Sequence, residues 1–230
     1  SRNVGLGSYA LVANTSANDN TALGNYALMD NTTGALNTAV GASALENNTT
    51  ADSNNAFGRR ALYTNTTGAQ NTALGYLALY LSTTASFNTA IGVSSMQNNT
   101  TGANNVAVGY AALDASTTGA ANTAVGKGSG GFITTGADNV CVGSEAGDNL
   151  TTGSQNVMLG GSTSMSAAGG TNQSCLGQNV TCVGNGNFTF GDGTVDSNIA
   201  NGATSITAPS DVRLKEDIQD EEVGLDFIKD

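Results

Sequence analysis

The sequence predicts an all-β protein, a parallel β-solenoid built from eleven 17-residue coils. A glycine recurs at one fixed spacing, from Gly7, Gly24 and Gly41 to Gly177 without insertion or deletion, so each unit must be one turn of a stacked structure. Two apolar columns occupy fixed places in the unit, and the composition favours Asn, Thr, Ala and Gly. Helical repeats need about 30 residues or more, and Asn, Thr and Gly are poor helix formers.

Each column of the repeat has its own residue type. We expect two short strands and two turns per coil, with copies stacked about 4.8 Å apart in a rod about 50 Å long. The Asn column fits an amide ladder, and the glycines fit turns with positive φ. The Asn column comprises Asn3, Asn20, Asn37, Asn54, Asn71, Asn88, Asn105, Asn122, Asn139 and Asn156. In most units a small residue such as Ala22 or Ala39 precedes the residue of the apolar column. The apolar column comprises Leu6, Leu23, Val40, Phe57, Leu74, Ile91, Val108, Val125, Val142, Leu159 and Leu176.

The two adjacent apolar columns predict contact between chains. Neighbouring residues of a strand point to opposite faces, so the small column and the Leu/Val column cannot both fill one interior. One face can pack inside the coil, and the other then needs a partner chain. We expect a homotrimer, although the periodicity itself does not give the number three.

The pattern changes near the end of the chain. The repeat region covers 1–177, and shortened repeats with glycines seven apart at Gly184 and Gly191 begin a connector over 178–209. Residues 210–230 are charged and carry Leu214 and Ile218 four apart, which predicts a short helical segment.

Composition argues against several classes of function. The net charge of −11 disfavours nucleic acid, and no apolar stretch is long enough to insert into a membrane. The chain has no His and no Cys-x-x-Cys, so we expect no metal and no cofactor. Cys141, Cys175 and Cys182 occupy the small position and are expected to be buried as small hydrophobic side chains, with Cys141 and Cys175 too far apart to pair.

Other surface features have a structural and a functional interpretation. The Asn-x-Ser/Thr sites favour a ladder of turn-forming Asn, with glycosylation as the alternative, and begin at Asn14, Asn31, Asn48, Asn65 and Asn99. Four tyrosines that follow glycines favour surface or interchain packing, with a sugar-binding face as the alternative; these are Tyr9, Tyr26, Tyr76 and Tyr110. Arg59-Arg60 interrupts the repeat and could mark a contact point.

The repeat resembles two families. Its Asn-Thr-Ala-Val-Gly units are similar to repeats of tail-fibre-domain proteins of phages and bacteria, and to head repeats of trimeric autotransporter adhesins. Ser210-Asp211-Val212-Arg213-Leu214-Lys215, with Ile218 and Gly224-Leu225-Asp226-Phe227-Ile228, resembles the start of the intramolecular chaperone domain of endosialidase-type phage tailspikes.

The second resemblance implies self-cleavage of the full-length parent protein only. In that family a Ser and a Lys release the chaperone, which implies Ser210 as nucleophile, Lys215 as base and Ser210–Asp211 as the scissile bond. A desolvated Lys can accept a hydroxyl proton. Only about 20 residues of the longer domain are present here. The structural alternative is a helix start, with Ser210 or Asp211 as N-cap and an Asp211–Lys215 pair.

These features predict a structural fibre shaft or spike of a phage tail fibre, used in host attachment and matured by its chaperone, rather than a metabolic enzyme. We expect it outside the cell, on a virion tail or a cell surface, with identical chains and a host glycan or protein receptor as partners. One alternative is a bacterial surface adhesin or extracellular filament. Another is the scaffold of a carbohydrate-cleaving tailspike, which the scattered carboxylates do not support.

Overall fold

A computed structural model describes residues 2–200 and 202–203 of the chain. This part is all-β without a helix, and its 13 short strands form one sheet in chain order. The strands are β1 (Val4–Leu6), β2 (Thr21–Leu23), β3 (Thr38–Val40), β4 (Asn55–Phe57), β5 (Thr72–Leu74), β6 (Thr89–Ile91), β7 (Val106–Val108), β8 (Thr123–Val125), β9 (Val140–Val142), β10 (Val157–Leu159), β11 (Ser174–Gly177), β12 (Phe188–Gly191) and β13 (Ser197–Ile199).

The pairing register confirms the predicted solenoid of about eleven coils. From β1 to β11 every strand pairs in parallel with the equivalent strand of the next repeat, as Ala22 with Ala39 and Ala39 with Ala56. Coils are numbered here from the Asn column, so that coil 1 is 3–19, coil 4 is 54–70 and coil 8 is 122–138. Backbone hydrogen bonds run from each coil to the next along its whole length, for example from Leu28 N to Ala44 O at 3.0 Å.

The prediction of two strands per coil is wrong, because each of coils 1 to 10 contains one three-residue strand and the rest is turns and bends. The second apolar pair, such as Ala27-Leu28, lies in a turn, and both side chains are fully buried. In a strand they would face opposite sides, but Leu28 has φ 50° and this left-handed residue turns both side chains inward. The same conformation recurs at Leu45, Leu62 and Leu79.

The interior of the rod is narrow and is filled by small and medium side chains. The middle residue of each strand from β2 to β10, and Cys175 in β11, points inward and is Ala, Cys or Met. The Ala-Leu pairs of the turns fill the rest, and all these residues belong to one continuous core. Ala in the strand column keeps the strand close to the opposite turn, which is why the small column alternates with the larger outward one.

The Asn column forms a buried ladder. The Asn20 side-chain Oδ1 accepts a hydrogen bond from the Asn37 backbone N at 2.9 Å, and Asn20 Nδ2 donates to Gly34 O at 2.8 Å. Direct amide–amide bonds join the later copies, beginning with Asn71 Nδ2 to Asn54 Oδ1 at 3.1 Å. Each Asn therefore links two coils and also ties its own strand start to its own turn, satisfying buried polar groups.

The glycine after each strand is required by close stacking. Gly41 has φ 133°, and a Cβ there would lie 2.6 Å from the Gly58 carbonyl oxygen of the next coil. No side chain fits such a position without moving backbone. The repeat of this glycine in coils 1 to 11 is thus a consequence of the coil spacing.

The carboxyl-terminal end of the rod differs from the rest. β12 pairs with β11 after a shortened turn, with Ser174 opposite Phe188, and β13 then pairs with β12 in the antiparallel direction. Cys175 of β11 and Cys182 of the shortened turn form a disulfide with their Cα atoms 5.6 Å apart. The reversal of direction at β13 ends the parallel stacking.

Candidate functional site

The outward face of the sheet carries a continuous column of apolar side chains. Every strand from β1 to β11 presents its third residue outward, and these residues form the predicted Leu/Val column. Eight of the eleven side chains are exposed, with exposed fractions from 37% at Val125 to 67% at Leu6. The other three, Val40, Ile91 and Val108, are half-buried. We call this column together with the first residue of each strand the outer sheet face.

The outer sheet face carries no charge. Its first-residue positions are Val, Thr, Asn or Ser, and the third-residue column is aliphatic apart from Phe57. At the strand spacing the face extends about 48 Å along the rod. Monomeric proteins rarely expose a continuous apolar surface of this length. The structure therefore places the small column inside and the Leu/Val column outside, as the alternation of strand side chains requires.

Four of the five glycosylation motifs named above have their Asn inside the rod. Asn31, Asn48, Asn65 and Asn99 are fully buried, and Asn14 of the first coil is half-buried. Asn48 Nδ2 donates to Asn31 Oδ1 at 2.8 Å and to Ala51 O at 3.1 Å. These contacts agree with the ladder interpretation, and a buried, bonded amide is inaccessible to a glycosyl transferase.

The tyrosines lie on the surface in stacked pairs. Tyr9 and Tyr26 stack with ring centroids 5.3 Å apart, and Tyr63 and Tyr80 stack at 5.4 Å. The two members of each pair belong to successive coils, so the rings follow the coil spacing. Tyr76 and Tyr110 are exposed beside the outer sheet face.

Three acidic residues, Asp114, Glu145 and Asp148, are among those that line a groove that sequence reasoning missed. The groove has a volume of about 330 Å³ and is lined by Ala111, Asp114, Gly128, Gly131, Phe132, Glu145 and Asp148. Asp114 and Asp148 occupy one column two coils apart, and Gly131 between them leaves the space open. Burial raises the pKa of Asp114, and Glu145 forms a salt bridge with Lys127 at 2.9 Å. The recurrence of Asp at the same repeat position two coils apart, at Asp114 and Asp148, is the sequence pattern from which this groove could have been predicted.

The cysteines do not all behave as predicted. Cys141 is buried without a partner, and burial raises the pKa of its thiol to about 12, so it acts as a small hydrophobic side chain. The expectation that Cys175 and Cys182 are also plain hydrophobic side chains is wrong, because they are buried as a disulfide. The shortened last turn brings them together, which a uniform coil would not.

The predicted self-cleavage residues Ser210 and Lys215, with the bond Ser210–Asp211 and the helical segment 210–230, lie outside the described residues. Within residues 2–200 and 202–203, no helix has the length and apolar character needed to cross a membrane. The same part of the chain contains no group of three or more Cys, Asp or Glu side chains placed to hold a metal ion.

Comparison of the chain with protein-family models, with curated proteins and with solved structures finds no significant match. The fold and the arrangement of side chains are therefore what bears on its function.

Proposed function

We propose that the chain is the shaft or spike of a trimeric attachment fibre of a phage tail, matured through a carboxyl-terminal intramolecular chaperone. The observation that carries the proposal is the uncharged outer sheet face, with its continuous Leu/Val column, along a rod of about eleven coils. The resemblance of the repeat to tail-fibre and trimeric adhesin repeats supplies the number of chains. The role is mechanical, since a stiff rod spaces or presents a receptor-binding element.

The geometry of the face supports association with identical chains. A partner with the same repeat can form each contact again at every coil, because both rods have the same rise. Burying aliphatic side chains contributes about 25 cal/mol per Å² of apolar surface removed from water. No like charges would oppose each other across this face.

The disulfide supports the extracellular location. Cys175 and Cys182 are joined within the described chain, and disulfides persist mainly in oxidising surroundings outside the cytosol. A virion tail and a cell surface both satisfy this condition.

The test is the mass of the unheated protein by light scattering and native mass spectrometry, for the natural chain and for Leu74→Lys/Val125→Lys. The natural chain is expected as a trimer and the double variant as a monomer, because each lysine would be buried without a partner charge. The matched control is Thr67→Lys/Thr118→Lys, which adds the same charge at exposed turn positions. A folded natural monomer, or trimers of both variants, would contradict the proposed interface.

A second candidate is a bacterial surface adhesin or extracellular filament that binds a host or matrix directly. The stacked tyrosines on the side of the rod favour it, since they offer lateral contact area away from either end. Neighbouring genes discriminate, because tail-assembly genes support the fibre and secretion genes support the adhesin.

A further inference from the structure

One surface of coils 4 and 5 has a composition unlike the rest of the rod. Arg59 and Arg60 are two of the four cationic residues in the described part, the others being Arg2 and Lys127. Around them lie Tyr63, Tyr76 and Tyr80. We call these five residues, Arg59, Arg60, Tyr63, Tyr76 and Tyr80, the Arg–Tyr patch.

The two arginines of the Arg–Tyr patch are held by aromatic rings. The Arg59 guanidinium carbon lies 5.7 Å from the centroid of Tyr76, and that of Arg60 lies 5.7 Å from the centroid of Tyr63. Tyr63 in turn stacks on Tyr80 with an interplanar angle of 17°. A guanidinium on an aromatic face keeps its N–H edges available for an anion, and its restricted motion lowers the entropy lost on binding.

The charges of these arginines are unmatched in the described chain. Arg2 pairs with Asp19 at 2.7 Å and Lys127 pairs with Glu145 at 2.9 Å, whereas neither Arg59 nor Arg60 forms a salt bridge with a described residue. Glu46 occupies the column of Tyr63 one coil away and does not form a salt bridge with either guanidinium. Guanidinium groups of two residues that are consecutive in the chain and have no acidic partner in the described part can bind a carboxylate or sulfate.

We propose that the Arg–Tyr patch binds an acidic saccharide, with a carboxylate or sulfate held by Arg59 and Arg60 and a sugar ring packed on the tyrosine faces. Tyrosines supply flat apolar area together with a hydroxyl, which suits a ring that is apolar on its faces and polar at its edges. A nucleic acid is disfavoured, because a net charge of −11 repels a polyanion and two arginines neutralise few phosphates. This proposal deepens the attachment role above and rests on it.

The test is calorimetric titration with three probes: a galacturonic acid hexamer (carboxylated), a heparin hexasaccharide (sulfated) and maltohexaose (neutral). We expect at least one charged probe to bind and maltohexaose not to bind. Arg59→Ala/Arg60→Ala is expected to weaken binding by more than about tenfold, because it removes two charge-assisted contacts and each alone contributes about tenfold. The carboxylated and sulfated probes distinguish the two sources of anionic charge.

The matched control is Arg2→Ala/Lys127→Ala, which removes the same two charges from residues that are already paired. It should bind within about twofold of the natural chain, since only local contacts are changed. Tyr76→Ala should weaken binding by loss of stacking, and Glu46→Gln should strengthen it by removing an acidic side chain from the neighbouring coil. Thermal unfolding of each variant checks that the rod remains folded.

Three results would overturn the proposal: no binding of either charged probe, equal binding of maltohexaose, or equal loss in both double-alanine variants. A change of mass in Arg59→Ala/Arg60→Ala would show instead that the arginines join chains. The outcomes for the patch and for the fibre can be separated. A trimer that binds no charged probe contradicts the patch alone, and a monomer that binds contradicts the trimer alone.

Discussion

Coils 4 and 8 share a backbone but fill their interiors in different ways. In coil 4 the buried residues of the turn are Leu62, with φ 52°, and Asn65. In coil 8 the corresponding residues are Gly130, with φ 59°, and the buried Ile133. A Cβ on Gly130 would lie 3.1 Å from Ile133 Cδ1, so the isoleucine occupies space that the leucine uses elsewhere. Coil 9 repeats the exchange with Gly147 and Leu150.

The comparison shows that the coil fixes the total volume of its interior rather than the residue at each place. It also explains why the second Asn column can be replaced. The Gly68 carbonyl of coil 4 accepts from both Asn54 and Asn65 at 2.9 Å, and the corresponding Gly136 carbonyl of coil 8 still accepts from Asn122 at 2.8 Å. Since one donor remains, the polar side chain can become apolar when the neighbouring leucine becomes glycine.

The strongest test transfers the interior of coil 8 into coil 4. Leu62→Gly alone should lower the free energy of unfolding by about 4 kcal/mol, because the cavity outweighs the relief of about 1 kcal/mol from a left-handed leucine. Adding Asn65→Ile should restore a large part of this loss. The measurement is urea unfolding of both single variants and the double variant at one chain concentration.

The control for the transfer is Leu77→Gly, a half-buried leucine with φ 59° outside the core. It should change stability by less than about 1 kcal/mol, since no core cavity forms. If the changes in unfolding free energy caused by Leu62→Gly and Asn65→Ile simply add in the double variant, the two side chains do not share one space, which would contradict the comparison.

The glycine that follows the strand is common to coils 4 and 8, and its substitution should lower the free energy of unfolding equally in both. Gly58→Ala in coil 4 and Gly126→Ala in coil 8 place a Cβ against a carbonyl oxygen of the next coil, with φ 135° and 133°, and each should cost about 3 kcal/mol. Gly161→Ala is the control, because its nearest contact would be 3.8 Å away, at Ser144 O. A difference in thermal unfolding between Gly58→Ala and Gly126→Ala that exceeds the error would show that coil spacing differs along the rod.

The repeat columns and the turn positions differ in whether the sequence predicts them. The Gly column and the placement of the Ala and Leu/Val columns on opposite faces follow from period and alternation, and the structure confirms them. Which of the two columns fills the interior is known from the structure alone. The turn could not be predicted, because a left-handed Leu28 has no compositional signal and its strand-like Ala-Leu pair suggested a second strand. The groove at Asp114 required comparison of one column across coils. Ser210 and Lys215 remain predictions, since they lie outside the described residues.

The carboxyl-terminal end should be stabilised locally by its disulfide. Cys175→Ala/Cys182→Ala is expected to lower stability there by about 2 kcal/mol, because the bridge closes a short loop. Hydrogen exchange should accelerate from β10 to β12 and stay unchanged from β3 to β5. Without denaturant at pH 8, Cys141 should resist alkylation, since burial raises the pKa of its thiol to about 12. Rapid native alkylation of Cys141, or faster exchange along the whole rod, would contradict this picture.

The smallest expected effect is a gain of stability within the regular coils. Ser82 replaces an Asn between Asn65 and Asn99, and three buried oxygens there have no hydrogen-bond partner: Asn65 Oδ1, Ser82 Oγ and Asn99 Oδ1. Serine is too short to donate to Asn65 as Asn65 donates to Asn48 at 2.9 Å. Ser82→Asn should raise the free energy of unfolding by about 1 kcal/mol, the net contribution of a buried hydrogen bond. Ser144→Asn, at an exposed position, should be neutral in the same urea unfolding. Destabilisation by Ser82→Asn would mean that the column tightens at coil 5 and that serine is there for its size, as glycine is at Gly130.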